Sequence, residues 1–375
     1  MTRDMMFSIP TALPNPFLFR SGASVRLAAQ WPERRREIHA LMVPLAYGEI
    51  SPVPDLVQCL VLHAATVRSL NGARLLSCRV LVNGAHAFPV RIFVPLGSGP
   101  FPVVLNGDGC WHYANDEVIA AVLDAGYVFA QFNRVELAPD AGPVDDAPGI
   151  DFAYGASVGM LPAGSPALAA WAWGYHRAVD ALLQLDFVDP LCVAVVGHSR
   201  GGKAALLAGA TDGRIALTSA NASGAGGAGC FRVLGPGAET LADVSAAFPH
   251  WFSPRLAQFA GREDALPFDQ HFLKALVAPR ALLTTEALGD HWANPIGTWV
   301  SHLAAREVYS FLGVQDRIAI AFRDGGHDHP VTDWRVLLDF CHTVFLGKPR
   351  ADILQINPFP EVQVRFTGPK EKPLP

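Results

Sequence analysis

The sequence around Ser199 has the residue types and the spacing of a serine nucleophile. Gly197, Ser199 and Gly201 form a Gly-x-Ser-x-Gly pattern between an apolar run at 192–196 and a helix-forming run at 203–210. A strand that turns sharply into a helix through this pattern lifts the hydroxyl above the sheet and places it at a helix N-terminus. Because the glycines permit the tight turn, a chance serine in a glycine-rich turn is the weaker interpretation. We predict that Ser199 attacks an acyl carbon.

A serine nucleophile needs a general base, and in this arrangement the partners follow in the order serine, acid, histidine. Among the histidines after Ser199, His327 and His329 lie in the loop that follows the last predicted strand, 318–322. A glycine pair precedes His327 and suits a loop that swings the imidazole back over the serine, whereas Pro330 follows His329 directly. We therefore predict that His327 is the base.

The acid is expected after the predicted strand 281–285, where Glu286 and Asp290 both lie. A carboxylate at this place orients the imidazole and stabilises the imidazolium. Asp290 is preferred because it lies deeper in the loop and can reach sideways to His327. Glu286 stays open as the alternative acid, although a residue at a strand end can simply pack nearby.

An acyl-transfer site also needs donors for the developing oxyanion. The backbone N–H of Arg200, directly after the nucleophile, is the expected first donor. A second donor is expected from the loop 106–111, after an early strand. The guanidinium of Arg200 either adds positive charge there or is solvated, and the sequence leaves both open.

The elements that must position these residues alternate between strands and helices. Asn83 and Gly84 favour a hairpin turn between the first two predicted strands. Alternation with short loops predicts an α/β fold, namely a three-layer α/β-hydrolase sandwich with a mostly parallel central sheet and an antiparallel N-terminal hairpin at one edge. The predicted strands are 78–82, 87–94, 103–105, 127–132, 192–196, 215–219, 281–285 and 318–322, and the predicted helices are 116–125, 167–185, 203–210, 296–312 and 333–345.

We predict one catalytic domain over 76–350, with an insertion at about 224–278 over the carboxyl edge of the sheet, where open α/β folds bind ligands. Residues 1–75 are expected to form an N-terminal extension packed on this domain, with residues 1–50 part loop and part helix. Its helix is predicted at 32–43, because Pro44 should end it. Residues 351–375 are expected to form a C-terminal tail.

Composition limits the classes of function. Of 375 residues, 50% are hydrophobic and 17% are charged, so a large core can be buried. The net charge of −5 gives no basic excess, and we expect neither nucleic acid nor membrane as a partner. The six cysteines lack zinc-site spacing, and we expect no metal, no cofactor and a monomer. No signal peptide is recognised, which predicts a cytoplasmic protein if the chain is complete and a secreted or periplasmic one if a signal was removed.

Several separated motifs resemble those of the glucuronoyl esterases, carbohydrate esterase family 15, especially their bacterial branch. The resemblance covers roughly residues 100 to 345, and the family hallmark is Ser-Arg followed by Lys at the spacing seen here. The matching segments are 197–203, 223–227, 248–252, 266–271 and 290–295, together with His327-Asp328 and Asp333-Trp334.

This resemblance implies cleavage of esters between 4-O-methyl-glucuronic acid of xylan and lignin alcohols, without a metal. It implies the same nucleophile and base, Arg200 as support for the oxyanion, and Lys203 as a ligand of sugar hydroxyls with Glu239 and Trp292 as its partners. Each of the last three also has an ordinary structural interpretation, as a first-turn helix lysine, a solvated loop residue and a core aromatic. Two other functions stay open: an acetyl xylan or small-ester esterase, and an inactive hydrolase fold that binds carbohydrate.

The sequence departs from the family at two positions. Ala222 stands where some members have their acid, which leaves Asp290 as the acid here. Asn294 stands where an aspartate is common. Both departures concern the natural substrate more than the ester chemistry.

Overall fold

Strands and helices alternate along most of the described chain. The structure is a computed structural model, and it describes residues 12–111, 114–140, 165–349 and 351–368. Its strands are β1 (Val57–Val67), β2 (Ala73–Val82), β3 (His86–Val94), β4 (Phe101–Asn106), β5 (Val128–Phe132), β6 (Val188–His198), β7 (Leu217–Asn221), β8 (Ala281–Ala287) and β9 (Ile318–Arg323). Its α-helices are α1 (Trp31–Ala46), α2 (Asp116–Asp124), α3 (Ala167–Leu182), α4 (Arg200–Thr211), α5 (Leu241–Ala247), α6 (Pro254–Ala257), α7 (Gln270–Val277), α8 (Pro295–Phe311) and α9 (Val331–Leu346).

These strands form one sheet in the order β1-β2-β3-β5-β4-β6-β7-β8-β9. The pairs from β1 to β5 are antiparallel, and every pair from β5 through β4 to β9 is parallel. Parallel strands end at the same edge of a sheet, so the residues that follow β4, β6, β8 and β9 meet there. Ser199 follows β6, Asp290 follows β8 and His327 follows β9.

Helices cover the parallel sheet on both faces, so every residue of β7 and β8 is buried, including the polar ones. In β4, Val103 and Leu105 belong to one core and Val104 to the other. Helices α1, α3, α4 and α7 pack over the first face, and α2 and α9 over the second. The predicted fold class, a three-layer α/β sandwich with an antiparallel N-terminal edge, is confirmed.

The hairpin at that edge forms as predicted, with Asn83 and Gly84 at φ of 50° and 70° in its turn. The sequence analysis missed β1, which pairs with β2 and lies in the segment 51–75, where no strand was predicted. Its pattern is weak because most of its side chains are exposed. The side chain of Gln184 hydrogen-bonds the open edge at Cys59 N and Val57 O.

Helix α1 continues through Pro44, so the predicted end before that residue is wrong. A proline within a helix loses one main-chain hydrogen bond, but this one stands in the last turn. Burial of Leu45, Ala46 and Tyr47 outweighs that loss, and the Tyr47 N–H still donates to the Val43 carbonyl at 2.8 Å.

The predicted boundary between residues 75 and 76 falls inside β2, so the structure gives no break there. Within the predicted insertion, α7 packs against α4 and α8 as part of a helix layer, while residues 239–252 approach the carboxyl edge of the sheet. The C-terminal segment pairs with the N-terminal one through Leu13, which bonds Arg365 and Thr367. The division into domains remains a prediction.

The described residues contain neither a candidate membrane span nor a candidate metal site. No helix among them is long and apolar enough to cross a membrane. No group of three or more His, Cys, Asp or Glu side chains in this part of the chain is arranged to hold a metal ion.

Candidate active site

Ser199 stands on a sharp turn between β6 and α4. Its backbone has φ of 55° and ψ of −122°, a strained conformation for a residue with a side chain. Both flanking glycines are needed for space, since a Cβ on Gly197 would lie 2.2 Å from the Gly201 carbonyl oxygen. A Cβ on Gly201 would lie 1.9 Å from a carboxylate oxygen of Asp108. This packing holds the hydroxyl at the N-terminus of α4, as the sequence pattern predicts.

The structure brings Ser199, His327 and Asp290 together in a hydrogen-bonded chain. The imidazole Nε2 of His327 lies 2.9 Å from Ser199 Oγ. Its Nδ1 lies 2.6 Å from Asp290 Oδ2. Asp290 is buried, and its other oxygen accepts from the Ala293 N–H at 3.3 Å. This geometry can transfer the serine proton to the imidazole while the carboxylate fixes the ring's tautomer.

Glu286, the alternative acid, lies inside β8 and is fully buried. It makes no hydrogen bond to His327. Burial raises the pKa of the Glu286 carboxyl to about 8, so it keeps its proton at neutral pH. The geometry therefore favours Asp290 as the partner of the imidazole.

Arg200, the predicted oxyanion donor, follows Ser199 directly. As the first residue of α4, Arg200 has a backbone N–H with no acceptor within the helix, so this donor is free for a ligand. Its guanidinium lies over the ring of Trp251 at 4.8 Å and that of Phe248 at 5.1 Å, at the pocket wall. The side chain is thus positioned at the site and not simply solvated.

Four backbone N–H groups of the loop 106–111 already have acceptors and therefore do not serve as the second oxyanion donor. The Gly107 N–H donates to Tyr175 Oη at 2.8 Å, and the Asp108 N–H donates to Asn106 Oδ1 at 3.0 Å. The Gly109 N–H donates to the Phe132 carbonyl at 3.0 Å, and the Trp111 N–H donates to the Asp108 carbonyl at 2.9 Å. These internal bonds turn the amides away from the pocket.

Asp140 holds the Arg200 guanidinium in place, and the sequence reading missed it. Its Oδ2 lies 3.0 Å from Arg200 Nη1, and its Oδ1 accepts from Trp251 Nε1 at 2.8 Å. Burial by itself raises the pKa of Asp140, but the neighbouring His250, the charge of Arg200 and the hydrogen bond from Trp251 lower it to about 2. Asp140 belongs to no motif, so no sequence signal could have identified it.

A cavity of about 300 Å³ opens beside Ser199 and contains all three residues assigned to substrate binding by resemblance. Lys203 and Glu239 form a buried ion pair at 2.9 Å, and Lys203 Nζ also donates to the Ala225 carbonyl. Trp292 is 48% exposed at the rim. Lys203 is a first-turn helix residue, as its ordinary interpretation has it, but its amine is buried in an ion pair. Glu239 is buried and not solvated, and Trp292 is exposed and not in the core.

A larger cavity of about 730 Å³ lies elsewhere, between the N-terminal segment and the region of Arg232 and Phe272. None of the predicted site residues lines it. The smaller cavity is therefore the candidate active site.

The two departures from the family pattern have different structural positions. Ala222 lines the cavity without contributing a polar side chain. Asn294 lies at the N-terminus of α8 with φ of 61°, and its side chain caps the helix by accepting from the Gly297 N–H. Asn294 thus contributes to the fold of the loop that carries Asp290, and not to the cavity.

Comparison with known proteins shows one family. A family model described as "Glucuronyl esterase, fungi" matches residues 80–313. A 4-O-methyl-glucuronoyl methylesterase of Podospora anserina is 31% identical over 86% of this chain, which spans 64% of that relative's length.

Solved structures give the same result. A carbohydrate esterase family 15 glucuronoyl esterase from Caldicellulosiruptor kristjansonii has a TM-score of 0.78 and 31% identity, covering 93% of this chain and 94% of its own. A glucuronoyl esterase of Sporotrichum thermophile, in complex with methyl 4-O-methyl-β-D-glucopyranuronate, has a TM-score of 0.74 and 27% identity, covering 90% and 89%.

Proposed function

Because this chain belongs to the glucuronoyl esterases of carbohydrate esterase family 15, we propose that it is a serine esterase of 4-O-methyl-glucuronic acid esters, such as those that join xylan to lignin alcohols. One observation carries the proposal. The hydrogen-bonded chain of Ser199, His327 and Asp290 opens into a cavity that also contains Lys203 and Glu239.

The first half-reaction is acyl transfer to the enzyme. Ser199 Oγ attacks the ester carbonyl carbon while its proton passes to His327 Nε2. The negative charge that forms on the carbonyl oxygen is stabilised by the backbone N–H of Arg200 and by its guanidinium. The C–O bond to the alcohol then breaks, and His327 returns the proton to the leaving oxygen.

The second half-reaction releases the acid. Water attacks the acyl carbon and gives its proton to His327, which returns a proton to Ser199 as the acyl-enzyme bond breaks. The net reaction converts one ester and one water into one uronic acid and one alcohol. Asp290 stabilises the imidazolium in both halves through its contact with Nδ1.

Lys203, Glu239 and Trp292 are proposed to hold the sugar. The ion pair presents charged donors and acceptors to sugar hydroxyls, since both side chains line the cavity. The half-exposed Trp292 offers a ring face at the rim. These contacts would orient the uronate so that its ester lies over Ser199.

The test is ester hydrolysis by the purified chain and its Ser199→Ala variant. We expect turnover of methyl glucuronate esters by the native chain and none above background by the variant. Release of acetate from acetylated xylan, in preference to methanol from the glucuronate ester, would support the alternative substrate. Failure of a fluorophosphonate to label Ser199 would indicate a catalytically silent fold that binds carbohydrate.

A further inference from the structure

The loop that carries His327 lies at the protein surface. Residues 324–328 are all exposed, and two of them are Gly325 and Gly326. His327 must nevertheless keep its imidazole within hydrogen-bond distance of both Ser199 and Asp290. Misplacement of a catalytic group by about 1 Å can lower a rate on the order of 10²-fold. Contacts other than apolar burial must therefore fix this backbone.

The guanidinium of Arg323 supplies such contacts. It donates to the main-chain carbonyl oxygens of Asp324 at 3.0 Å, Asp328 at 2.8 Å and Gly326 at 3.4 Å. Gly325 has φ of +105°, a backbone conformation that residues with side chains rarely adopt, so a glycine suits the turn by which the loop wraps around the guanidinium. The Arg323 side chain thus hydrogen-bonds the loop backbone both before and after His327.

Asp333, in the first turn of α9, fixes Arg323 in turn. Its two carboxylate oxygens lie 3.1 and 2.9 Å from Arg323 Nε. Asp333 is buried and also accepts from the side-chain amide of Asn221 at 2.9 Å. The Asn221 oxygen lies 2.5 Å from Nδ1 of His198, the neighbour of Ser199. A continuous polar path therefore joins the nucleophile turn to the loop of the base.

The acid loop is joined to the same backbone. The Leu288 N–H donates to the Arg323 carbonyl at 2.8 Å, and the Gly289 N–H donates to the Gly325 carbonyl at 3.0 Å. Movement of the loop 324–328 would therefore disturb the contact between Asp290 and the imidazole as well.

We propose that Arg323, held by Asp333, is a positioning residue that fixes the His327 loop in the geometry required for proton transfer. This inference rests on the proposed function, because it takes His327 as the base. The Arg323 guanidinium hydrogen-bonds Asp333 and the loop carbonyls. Removing the guanidinium should therefore affect catalysis by displacing the His327 imidazole. It should lower kcat and leave KM nearly unchanged.

The test measures kcat and KM for a methyl glucuronate ester in variants of Arg323. Arg323→Met removes every contact to the loop, and kcat should fall on the order of 10²-fold with KM within about 3-fold. Arg323→Lys keeps the charge opposite Asp333 but cannot reach all three carbonyls, and about a 10-fold loss is expected. The matched control is Arg335→Met on α9, whose exposed side chain pairs only weakly with Glu117 at 3.6 Å, and it should stay within about 2-fold of native kcat.

A double-mutant cycle separates positioning from a general effect on folding. In a His327→Ala background, adding Arg323→Met should lower kcat by no more than about 2-fold, because the group that it positions is gone. A further 10²-fold loss in that background, or native kcat in both Arg323 variants, overturns the inference. Native kcat in His327→Ala itself would instead overturn the proposed function. If Arg323→Met does not fold, as judged by its thermal transition, Arg323→Lys in the same cycle decides.

Discussion

Replacing Asp290 with asparagine distinguishes the two carboxylates that the sequence offers as the catalytic acid. In the native structure Asp290 Oδ2 accepts a hydrogen bond from His327 Nδ1 at 2.6 Å. An asparagine that turns its amide toward Nδ1 donates instead, which favours the tautomer with its proton on Nε2. That tautomer cannot accept the proton of Ser199. The chain should still fold, because the asparagine oxygen can accept from the Ala293 N–H as the aspartate does.

The expected magnitude follows from the loss of the correct tautomer. An asparagine at this place in a serine–histidine–acid site lowers kcat by about 10³- to 10⁴-fold, which is about 4 to 5 kcal/mol of transition-state stabilisation. The matched variant is Glu286→Gln. Since Glu286 is buried and its raised pKa of about 8 keeps it protonated, the neutral glutamine has nearly the same shape and charge. We expect its kcat within about 3-fold of native.

The assay is the initial rate of methyl glucuronate ester hydrolysis at pH 7, with thermal unfolding of each variant as a control for folding. The reasoning is refuted if Glu286→Gln loses three orders of magnitude while Asp290→Asn keeps more than a tenth of native kcat. That result would assign the acid to Glu286 and would require a rearranged loop.

Three further predictions concern charges around the site. Because burial raises the pKa of Glu286 from 4.5 to about 8, the folded state holds a proton that the unfolded state releases, and the contribution of Glu286 to the free energy of unfolding should fall between pH 5 and 7 by about 1.4 kcal/mol per unit. In urea titrations, the free energy of unfolding of the native chain minus that of Glu286→Gln should therefore fall with this slope. Glu239→Gln leaves the buried Lys203 without its counter-charge and should lower stability by about 3 to 5 kcal/mol and raise KM, measured by urea unfolding and ester kinetics. Asp140→Asn should lower kcat about 10-fold in the native chain and have no effect in Arg200→Ala, since it acts by holding that guanidinium.

The parts of the site that the sequence predicts are those whose chemistry dictates local sequence. The turn at Ser199 needs glycines at fixed offsets, and the chain order of acid and base follows from the parallel sheet. His327 and Asp290 were therefore predicted from their places after two strands, with Glu286 as the alternative acid. Lys203, Glu239 and Trp292 came from resemblance alone, since nothing in their local pattern indicates a cavity.

The residues that were missed act through long-range contacts. Asp140 contacts Arg200 across 60 positions, and Asn221 contacts Asp333 across 112 positions, so neither pair leaves a local pattern. The end of α1 was misplaced for a related reason, because burial of Tyr47 by distant segments outweighs the local effect of Pro44.

The charges that line the cavity are paired, and this pairing affects release of the product acid after the ester bond is hydrolysed. Ester hydrolysis turns a neutral group into an anion. Arg200 and Lys203 are already matched by Asp140 and Glu239, and Asp290 adds a further negative charge. The new carboxylate thus meets no uncompensated cation, and departure of the acid is favoured over retention. Free glucuronate is accordingly expected to inhibit only far above the KM of its ester, a ratio that simple inhibition kinetics measures.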